Sequence, residues 1–184
     1  MPNWCSNSVT ISGDKDQIDK FEAFLNEKNG KEWFDFFLPC PAELLEVESP
    51  NRDDNRAKLM EEKYGHSDWY SWSVENWGTK WNADAQDWNR DEDSISFWFD
   101  SAWAPPTNLY ETIFEQGYEV SADYLEEGMG FVGRFADGED ESYEYTDLAS
   151  LDDIPDEIVD NWGLREQMEE YEAENSDEDE DDDK

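Results

Sequence analysis

The sequence predicts an α+β protein with one core rich in aromatic residues. Three observations support this: apolar alternation typical of strands, apolar residues at helical spacing between them, and many aromatic side chains. Aromatic residues make up 15% of the 184 residues, and all apolar residues make up 36%. A low apolar share with high charge is typical of disorder. Large aromatic side chains bury about 150–250 Å² each, however, and supply the area that aliphatic residues lack here.

The first three predicted elements are a strand, a helix and a second strand. The first strand alternates around Val9 and Ile11, which is typical of a half-buried strand. The helix begins after Asp14, a favourable N-cap, and Gly30 lies just past its end. Pro39 ends the second strand. The predicted bounds are 5–12 for the first strand, 15–29 for the helix and 32–38 for the second strand.

The segment 39–93 is predicted as a long insertion between the second and third strands. It is polar except for Trp69–Trp81, in which four tryptophans and one tyrosine occur among thirteen residues. Because each buried aromatic ring contributes a large area, we expect this stretch to pack as a fixed structural plug with Gly78 at a turn. Trp77 and Trp81 are expected in the core rather than on a contact surface.

The second half of the chain is predicted as a strand, a helix, three strands and a C-terminal helix. Pro105 and Pro106 end the third strand and suit the first turn of a helix. Asp137 and Gly138 predict a tight hairpin turn. The predicted strands are 94–100, 118–125, 130–136 and 142–146, and the predicted C-terminal helix is 155–172.

The order of these elements predicts a ferredoxin-like fold. Strand, helix, strand, insertion, strand, helix and strand form the split βαβ arrangement, with right-handed crossovers. The last two strands add a β-hairpin to the sheet. The predicted organisation is a ferredoxin-like domain over 1–150 with its Trp-rich insertion at 39–93, a C-terminal helical extension over 151–173, and an acidic, disordered tail over 174–184.

Charge is the strongest functional signal in the sequence. The chain has 51 acidic and 13 basic residues, a net charge of −38. Residues 151–184 hold 17 acidic and 2 basic residues, and residues 1–150 hold the remaining 34 and 11. Three explanations stay open: solubility or adaptation to high salt, a partner with a basic surface, and a cation-binding surface. Direct binding of nucleic acid is disfavoured, because phosphate contacts need Lys and Arg.

The residue types needed for common catalytic and metal sites are scarce. Cys5 and Cys40 lie on segments predicted to pair, yet they form no CxxC motif and are expected as small core residues. His66 is the single histidine, too few for a zinc site. Residues 87–98 resemble an EF-hand loop at three positions, but Glu92 replaces the required Gly and the twelfth position is not Glu. We predict no catalytic residues, no metal and no cofactor.

The expected location is the cytoplasm. The first residues show no basic region followed by an apolar run, so no secretory signal is predicted. No apolar stretch reaches the length of a membrane span. The two thiols are therefore expected to be reduced, and no membrane partner is predicted.

Four blocks of the sequence resemble the YubB-like family of plasmid and phage proteins of unknown function. The blocks are Met1–Asn7 with Val9–Gly13, Trp69–Trp81, Ser101–Pro106 and Tyr124–Gly128, and they occur in the family's order. The resemblance implies a ferredoxin-like domain and offers no catalytic residues. It also implies a place on mobile elements, which favours roles against host defence or in the takeover of host proteins. The acidic run after Glu174 is not part of the resemblance.

The favoured function is that of a non-enzymatic acidic interaction protein of a phage or plasmid. It would bind and inhibit a basic, nucleic-acid-binding host or defence protein by DNA mimicry, with carboxylates in place of phosphates. DNA carries about one charge per 1.7 Å of axis, so a mimic needs acids spread over an ordered surface. The predicted contacts lie in the insertion and in the C-terminal region. They are Asp53, Asp54, Glu61, Glu62, Asp84, Asp87, Asp91, Glu92, Asp93, Glu166, Glu169, Glu170, Asp177, Asp179, Asp181, Asp182 and Asp183.

Three alternatives are weighed against this function. A small-ligand-binding or enzymatic domain would use a pocket under the Trp-rich insertion, lined by Trp72, Trp77 or Trp81 and holding a carboxylate of raised pKa. An RNA-binding sheet would expose the aromatic residues Phe97–Phe99, but the basic residues of that motif are absent. In the third alternative, the charge only keeps the protein dispersed, and neutralising the acids of the insertion would leave any binding intact.

Overall fold

The computed structural model describes residues 3–181 of the chain, with side chains described up to residue 173. The strands are β1 (Trp4–Ser12), β2 (Gln86–Arg90), β3 (Ser94–Ala102), β4 (Glu119–Glu126), β5 (Phe131–Ala136) and β6 (Glu139–Glu144). The helices are α1 (Lys15–Lys28), α2 (Phe34–Phe37), α3 (Ala42–Leu45), α4 (Asp54–Tyr64), α5 (Trp69–Trp77), α6 (Thr107–Glu115), α7 (Asp156–Trp162) and α8 (Leu164–Asp181), with a 3₁₀ helix at Ala149–Asp153. The protein is therefore α+β, as predicted. Its single antiparallel sheet has the strand order β2-β3-β1-β4-β5-β6.

β1 is a central strand whose alternation sets the two faces of the sheet. Cys5, Asn7, Val9 and Ile11 are buried on one face, while the half-buried residues that alternate with them, Ser6, Ser8, Thr10 and Ser12, carry hydroxyl groups on the other. β1 pairs with β3 on one side and β4 on the other, and Val9 lies opposite Phe97 and Ala122. Because side chains alternate across a strand, this register places apolar residues of three strands on one face.

The predicted first helix is confirmed as α1, with both of its end signals. The Asp14 carboxylate accepts a hydrogen bond from the Gln17 backbone N–H at 2.9 Å, and the Gln17 side chain accepts one from the Asp14 N–H at 2.8 Å. This capping box satisfies two backbone donors that the helix leaves free. At the other end, Asn29 has a φ of 53° and Gly30 a φ of 76°, so both residues turn the chain away from the helix.

Residues 32–38 contain a helix where the sequence predicts a strand. Phe34–Phe37 forms one helical turn, and Trp33, Phe34 and Phe37 are all buried. The indole of Trp33 contacts the rings of Phe34 and Phe37 edge to face, at centroid distances of 4.8 and 6.1 Å. An apolar run this short has no period that separates a strand from a helix. A helical turn can direct neighbouring aromatic rings into one core. A strand would place successive rings on opposite faces of the sheet.

The second strand of the sheet lies within the segment predicted as the insertion. β2 pairs with β3, with an irregular register between Gln86 and Asn89. Apart from Trp88, its residues are polar, and all five are exposed or half-buried, so no apolar alternation marks it in the sequence. The predicted insertion over 39–93 is therefore wrong in its bounds. Four helices, α2 to α5, lie between α1 and β2, and only residues 91–93 separate β2 from β3.

The C-terminal helix predicted over 155–172 is two helices in the structure. α7 ends at Trp162, and Gly163 has a φ of 61°, a conformation that terminates a helix. α8 then begins at Leu164 and its bounds include part of the predicted tail. The side chains of 174–184 lie outside the described residues, so the disorder expected for the tail stays a prediction.

Two apolar clusters lie on the two faces of the sheet. The larger one, under α1, α2, α5 and α6, is rich in aromatic rings, and Trp33 lies 5.1 Å from Phe97 and 5.2 Å from Phe99 between ring centroids. The smaller one joins Val132 of β5 to Leu164 and other aliphatic residues of α7 and α8. The smaller cluster fixes the C-terminal helices on β4 and β5.

The remaining part of the second face, on β1 and β3, has small hydroxyl side chains and one large ring. Phe97 and Phe99 point into the larger cluster, whereas Trp98 is exposed and meets Trp162 of α7 at a centroid distance of 5.6 Å. The aromatic surface that an RNA-binding sheet would need is therefore buried, apart from Trp98.

Cys5 and Cys40 are both buried and unbonded, as expected for small core residues. They do not lie on paired strands, because residues 32–38 are helical. Burial raises the pKa of the Cys40 thiol to about 11, and burial also raises the pKa of Cys5. Both groups therefore stay protonated at neutral pH, which makes them poor nucleophiles.

Candidate interaction surface

β6 forms one edge of the sheet and consists mainly of acidic residues. Its four acidic residues, Glu139, Asp140, Glu141 and Glu144, are all exposed. The hairpin turn predicted at residues 137 and 138 is confirmed, with φ values of 54° and 80°. The acids of β6 are absent from the predicted contacts. The run Glu-Asp-Glu after a hairpin turn was the sequence signal for them.

The register of β6 divides its carboxylates between the two faces of the sheet. Asp140 lies opposite Phe135 and Glu141 lies opposite Arg134. On the Phe135 side, the Tyr124 hydroxyl donates a hydrogen bond to Asp140 Oδ1 at 2.9 Å. Partial burial raises the pKa of Asp140 above its ordinary value, although this hydrogen bond opposes the shift. Asp140 is thus held in place by the core.

Arg134, the basic residue of β5, is fully engaged within the fold. Its guanidinium makes two hydrogen bonds to the Asp123 carboxylate, at 2.5 and 2.9 Å, and an ion pair with Glu157 at 3.0 Å. These bonds raise the pKa of Arg134. Asn161 of α7 also donates to Asp123, at 2.9 Å. The network ties α7 to the sheet, and among the described residues the ion pairs of Arg134 are with Asp123 and Glu157 rather than with a carboxylate of β6.

Residues 137–173 form an acidic lobe that consists of β6, the 3₁₀ helix, α7 and the described part of α8. The lobe holds 15 acidic residues and one basic residue, Arg165. Arg165 lies 3.6 Å from Asp152, and both side chains are exposed, so this pair contributes little to stability. The Glu172 carboxylate accepts a hydrogen bond from the Leu148 N–H at 2.9 Å. The lobe is thus an ordered surface with a net charge of −14.

The predicted contacts of the C-terminal region divide between the lobe and residues outside the described part. Glu166, Glu169 and Glu170 are exposed on α8, on the same lobe as the acids of β6. The side chains of the other five lie outside the described residues; these are Asp177, Asp179, Asp181, Asp182 and Asp183.

The predicted contacts on α4 are exposed but do not form an anionic surface. These are Asp53, Asp54, Glu61 and Glu62. The segment 51–64 contains four acidic and four basic residues, so it carries no net charge. Asp53 caps α4 by accepting hydrogen bonds from the backbone N–H groups of Asn55 and Arg56, both at 3.1 Å. Its carboxylate therefore has a structural role.

The remaining predicted contacts lie at the opposite edge of the sheet from β6. All are exposed; they are Asp84, Asp87, Asp91, Glu92 and Asp93. Asp84 accepts a hydrogen bond from the Glu32 N–H at 3.1 Å. Arg90 pairs with Asp19 at 3.0 Å and with Glu22 at 3.5 Å, which reduces the negative charge beside this group. The structure therefore does not join the acids of β2 to those of the lobe.

The pocket predicted under the Trp-rich segment is filled by the segment itself. Trp72 and Trp77 are buried, with ring centroids 5.3 Å apart, and Trp77 donates its indole N–H to the Leu38 carbonyl oxygen at 2.9 Å. Trp81 is 40% exposed, so its predicted place in the core is wrong. A groove of about 450 Å³ passes beside Trp81 and Lys80 on the surface.

A second groove lies on the acidic lobe. It has a volume of about 520 Å³ and separates α8 from the turn between β4 and β5. Met129, Met168 and Tyr145 supply apolar walls, and Glu127 lies at its rim. Such a groove, with apolar walls and an acidic surface around it, suits a partner segment that has an apolar side chain between basic residues.

Few residues of the described chain are arranged for metal or acid–base chemistry. Within residues 3–173, no three histidine, cysteine or carboxylate side chains converge as a metal site would require. His66 Nε2 lies 3.8 Å from an oxygen of the exposed Glu75 carboxylate. Among the helices of the described residues, none is both long enough and apolar enough to cross a membrane.

Comparisons with known proteins give one distant structural likeness. No family model matches the chain, and no curated protein matches it. The crystal structure of a protein api92 from Yersinia pseudotuberculosis, of family DUF1281, is similar to it with a TM-score of 0.46 and 12% sequence identity, covering 79% of this chain and 99% of that chain. The resemblance to the YubB-like family stays a prediction.

Proposed function

We propose that this protein is a non-enzymatic interaction protein that binds a basic protein through its acidic lobe. The main observation is the ratio of 15 acidic residues to one basic residue over residues 137–173, on elements fixed by their own apolar cluster. The proposed partner is a nucleic-acid-binding host or defence protein, which is inhibited because the lobe occupies its DNA-binding surface. The proposed setting is the cytoplasm of a bacterial host of a phage or plasmid.

The geometry of β6 supports an ordered array of carboxylates, which mimicry of DNA requires. An antiparallel strand rises about 3.4 Å per residue and its side chains alternate between faces, so acids two residues apart lie about 6.8 Å apart on one face. Glu139 and Glu141 form such a pair, and Asp140 lies on the other face. As an edge strand in the described sheet, β6 keeps one side free for a partner.

The rigidity of the lobe also supports the proposal. A flexible acidic chain loses conformational entropy when it is ordered by a partner, whereas acids on a packed scaffold avoid most of that cost. The contacts of Arg134 with Asp123 and Glu157 hold α7 against the sheet. Charge complementarity would then speed association and make it sensitive to salt.

We propose, in addition, that the sheet and its two crossing helices form a ferredoxin-like domain. The order β2-β3-β1-β4 with α1 and α6 between strands supports the split βαβ arrangement. The hairpin of β5 and β6 extends this sheet at β4. In this arrangement the added hairpin, and not the central domain, forms the acidic edge.

The proposal is tested by neutralising β6 and measuring capture of basic proteins. The triple variant Glu139→Gln, Glu141→Gln, Glu144→Gln removes three charges from the edge. The matched control Asp54→Asn, Glu61→Gln, Glu62→Gln removes three exposed charges from α4. Immobilised wild-type protein and both variants are incubated with bacterial lysate at low salt, and captured proteins are identified by mass spectrometry.

We expect the wild type and the α4 variant to capture basic, DNA-binding proteins that high salt and added duplex DNA release. The β6 variant is expected to capture at least tenfold less, because the loss of a single close charge pair of about 1.5 kcal/mol already lowers affinity about tenfold. Equal losses in both variants would show that only net charge matters. Failure of duplex DNA to compete would rule out mimicry.

A ligand-binding function remains a second candidate, because two surface grooves are present. The groove beside Trp81 lies at the edge of the Trp-rich segment, although Trp72 and Trp77 do not line it. Ligand binding there would raise the thermal midpoint with the logarithm of the ligand concentration once that concentration exceeds the Kd. A thermal-shift screen of small metabolites tests this candidate. If a ligand binds in this groove, the β6 substitutions are expected to leave the ligand-induced shift of the midpoint unchanged.

A further inference from the structure

At one end of the sheet a lysine lies between two tryptophans, and a third tryptophan packs beside them. Trp4, Trp81 and Trp103 are 52%, 40% and 42% exposed. The Lys80 Nζ atom lies 3.8 Å from the centroid of the Trp81 ring and 3.7 Å from that of Trp103. Trp4 contacts the Trp81 ring at a centroid distance of 6.1 Å. Both distances from Nζ are well within the range of about 6 Å over which a cation is attracted to a ring face.

The fold holds these rings in place from three distant parts of the chain. The Thr79 hydroxyl donates a hydrogen bond to the Ala102 carbonyl oxygen at 2.8 Å. The backbone N–H of Trp103 donates to the Asn3 carbonyl oxygen at 2.9 Å. Trp103 has a φ of 71°, an unfavourable conformation for a bulky side chain. Such strain persists only where the surroundings enforce it, and it is concentrated at functional sites.

The ammonium group of Lys80 contacts aromatic rings rather than carboxylates, although the chain is rich in acidic residues. Among the described residues, no carboxylate oxygen lies within 4.0 Å of its ammonium group, although acids outnumber bases 51 to 13 in the sequence. The two ring faces therefore replace the usual ion pair. An arrangement that accommodates one ammonium group between two indoles is already shaped for another.

We propose that Trp81 and Trp103 form a cation-binding cage whose resident occupant is Lys80, and that an ammonium or guanidinium group of a partner displaces it. The groove beside Lys80 and Trp81, lined also by Pro50 and Tyr70, gives the rest of the partner segment a place to lie. The ligand class is an organic cation on a protein side chain, a lysine or an arginine. This identification of the partner rests on the proposed function, whereas cation binding by the cage does not.

Because Lys80 of the same chain occupies the cage, a partner's cation has to compete with it for the two rings. A ligand that must first displace Lys80 binds with an affinity reduced by the fraction of molecules in which the cage is empty. A partner with a single cation therefore binds weakly, whereas one with additional contacts in the groove binds more tightly. The negative charge of the chain raises the local concentration of cations around the cage.

Emptying the cage tests the inference without any partner protein. The probe is tetramethylammonium chloride, titrated into wild-type protein, Lys80→Ala and Lys58→Ala at constant ionic strength. Lys58 is an exposed lysine of α4, so its variant makes the same change in net charge without touching the cage. The readout is the upfield shift of the methyl proton resonance, which arises only when the cation lies over aromatic rings.

We expect Lys80→Ala to bind the probe about tenfold more tightly than the wild type, and Lys58→Ala to match the wild type. Adding Trp81→Ala or Trp103→Gly to Lys80→Ala is expected to abolish the shift. Glycine suits the positive φ at position 103. If that variant does not fold, the exposed Trp81 decides the test.

Equal affinities in wild type and Lys80→Ala would overturn the inference, as would a shift that survives loss of Trp81. Neither result bears on the acidic lobe, because the β6 triple variant keeps the cage. Conversely, loss of basic-protein capture in the β6 variant leaves the tetramethylammonium result unchanged. The two proposals therefore fail independently.

Discussion

Asp140 is the residue at which the acidic edge meets the core. Its carboxylate accepts a hydrogen bond from the Tyr124 hydroxyl, and partial burial still raises its pKa above the ordinary value. A carboxyl with a raised pKa binds its proton more tightly in the folded state than in the unfolded state. Its ionised form therefore lowers stability once the pH rises through the folded pKa.

Asp140→Asn is expected to raise the free energy of unfolding at neutral pH, because it removes the ionised group and keeps an oxygen for Tyr124. The gain should disappear as the pH falls through the window just above the ordinary pKa of an aspartate, where the wild-type group becomes protonated. Urea unfolding followed by circular dichroism from pH 4 to pH 7 measures the difference. Glu139→Gln, at the exposed neighbour, is the control for net charge, and an equal gain there would contradict the assignment.

Trp77 and Trp81 show how far a single residue can be predicted. Both belong to one Trp-rich stretch, and both were expected in the core. Trp77 is buried and hydrogen-bonded to Leu38, whereas Trp81 lies on the surface against Lys80. Gly78 ends α5 between them, so helical spacing no longer relates the two side chains. Composition predicts that rings are buried but does not specify which ones.

At the scale of the element, two glycines end helices in similar conformations but different surroundings. Gly65 ends α4 with a φ of 77°, and Gly78 ends α5 with a φ of 89°. A Cβ atom at position 65 would meet open space, whereas one at position 78 would lie 3.2 Å from the Thr107 nitrogen and 3.3 Å from the Pro105 oxygen. A substitution at Gly65 therefore introduces backbone strain alone, whereas one at Gly78 introduces backbone strain and a close steric contact.

Gly65→Ala is expected to lower the free energy of unfolding by about 1 kcal/mol, the cost of a left-handed conformation in an L-residue. Gly78→Ala should cost about 1 kcal/mol more, because α6 must also shift. Chemical denaturation measures both values. A Gly78→Ala loss no greater than that of Gly65→Ala would show that the turn after α5 moves away from α6 at little cost.

Separate elements also converge in space. Two of the four sequence blocks supply the cage, since Trp69–Trp81 contains Lys80 and Trp81, and Ser101–Pro106 contains Trp103. A third block contains Trp4, whose ring contacts that of Trp81. The fourth approaches the same end of the sheet, because a Cβ atom at Gly128 would meet the Asn3 side chain. The blocks are distant in the sequence, and the pairing of β1 with β3 and β4 brings three of them together.

At the scale of the whole molecule, net charge opposes folding. Fifty-one acidic and 13 basic residues produce repulsion that the aromatic core must offset. Such repulsion between exposed charges is screened by salt, over about 10 Å at 0.1 M ionic strength. The same charge would keep the protein dispersed in solution. The binding experiments with the β6 and α4 variants distinguish this role of the charge from binding of a partner.

The thermal midpoint is expected to rise by several degrees when sodium chloride increases from 0.01 to 0.5 M, because screening relieves repulsion in the folded state. The β6 triple variant should start from a higher midpoint at low salt and gain less. Differential scanning calorimetry measures the midpoints of the wild type and the β6 variant at each salt concentration. The α4 triple variant, which removes three charges from a segment without net charge, is the control. A midpoint independent of salt would show that the acids are spaced too widely to repel.

The sequence by itself determined the α+β fold class, α1 with its Asp14 N-cap, the central strands, the hairpin and the negative charge. These depend on local periodicity, caps, turns and composition, which neighbouring residues fix. Only the tertiary structure decided that residues 32–38 are helical, that the polar segment Gln86–Arg90 is a strand, and that Lys80 lies between Trp81 and Trp103. Each of these depends on partners far away in the chain, and no local pattern records such partners.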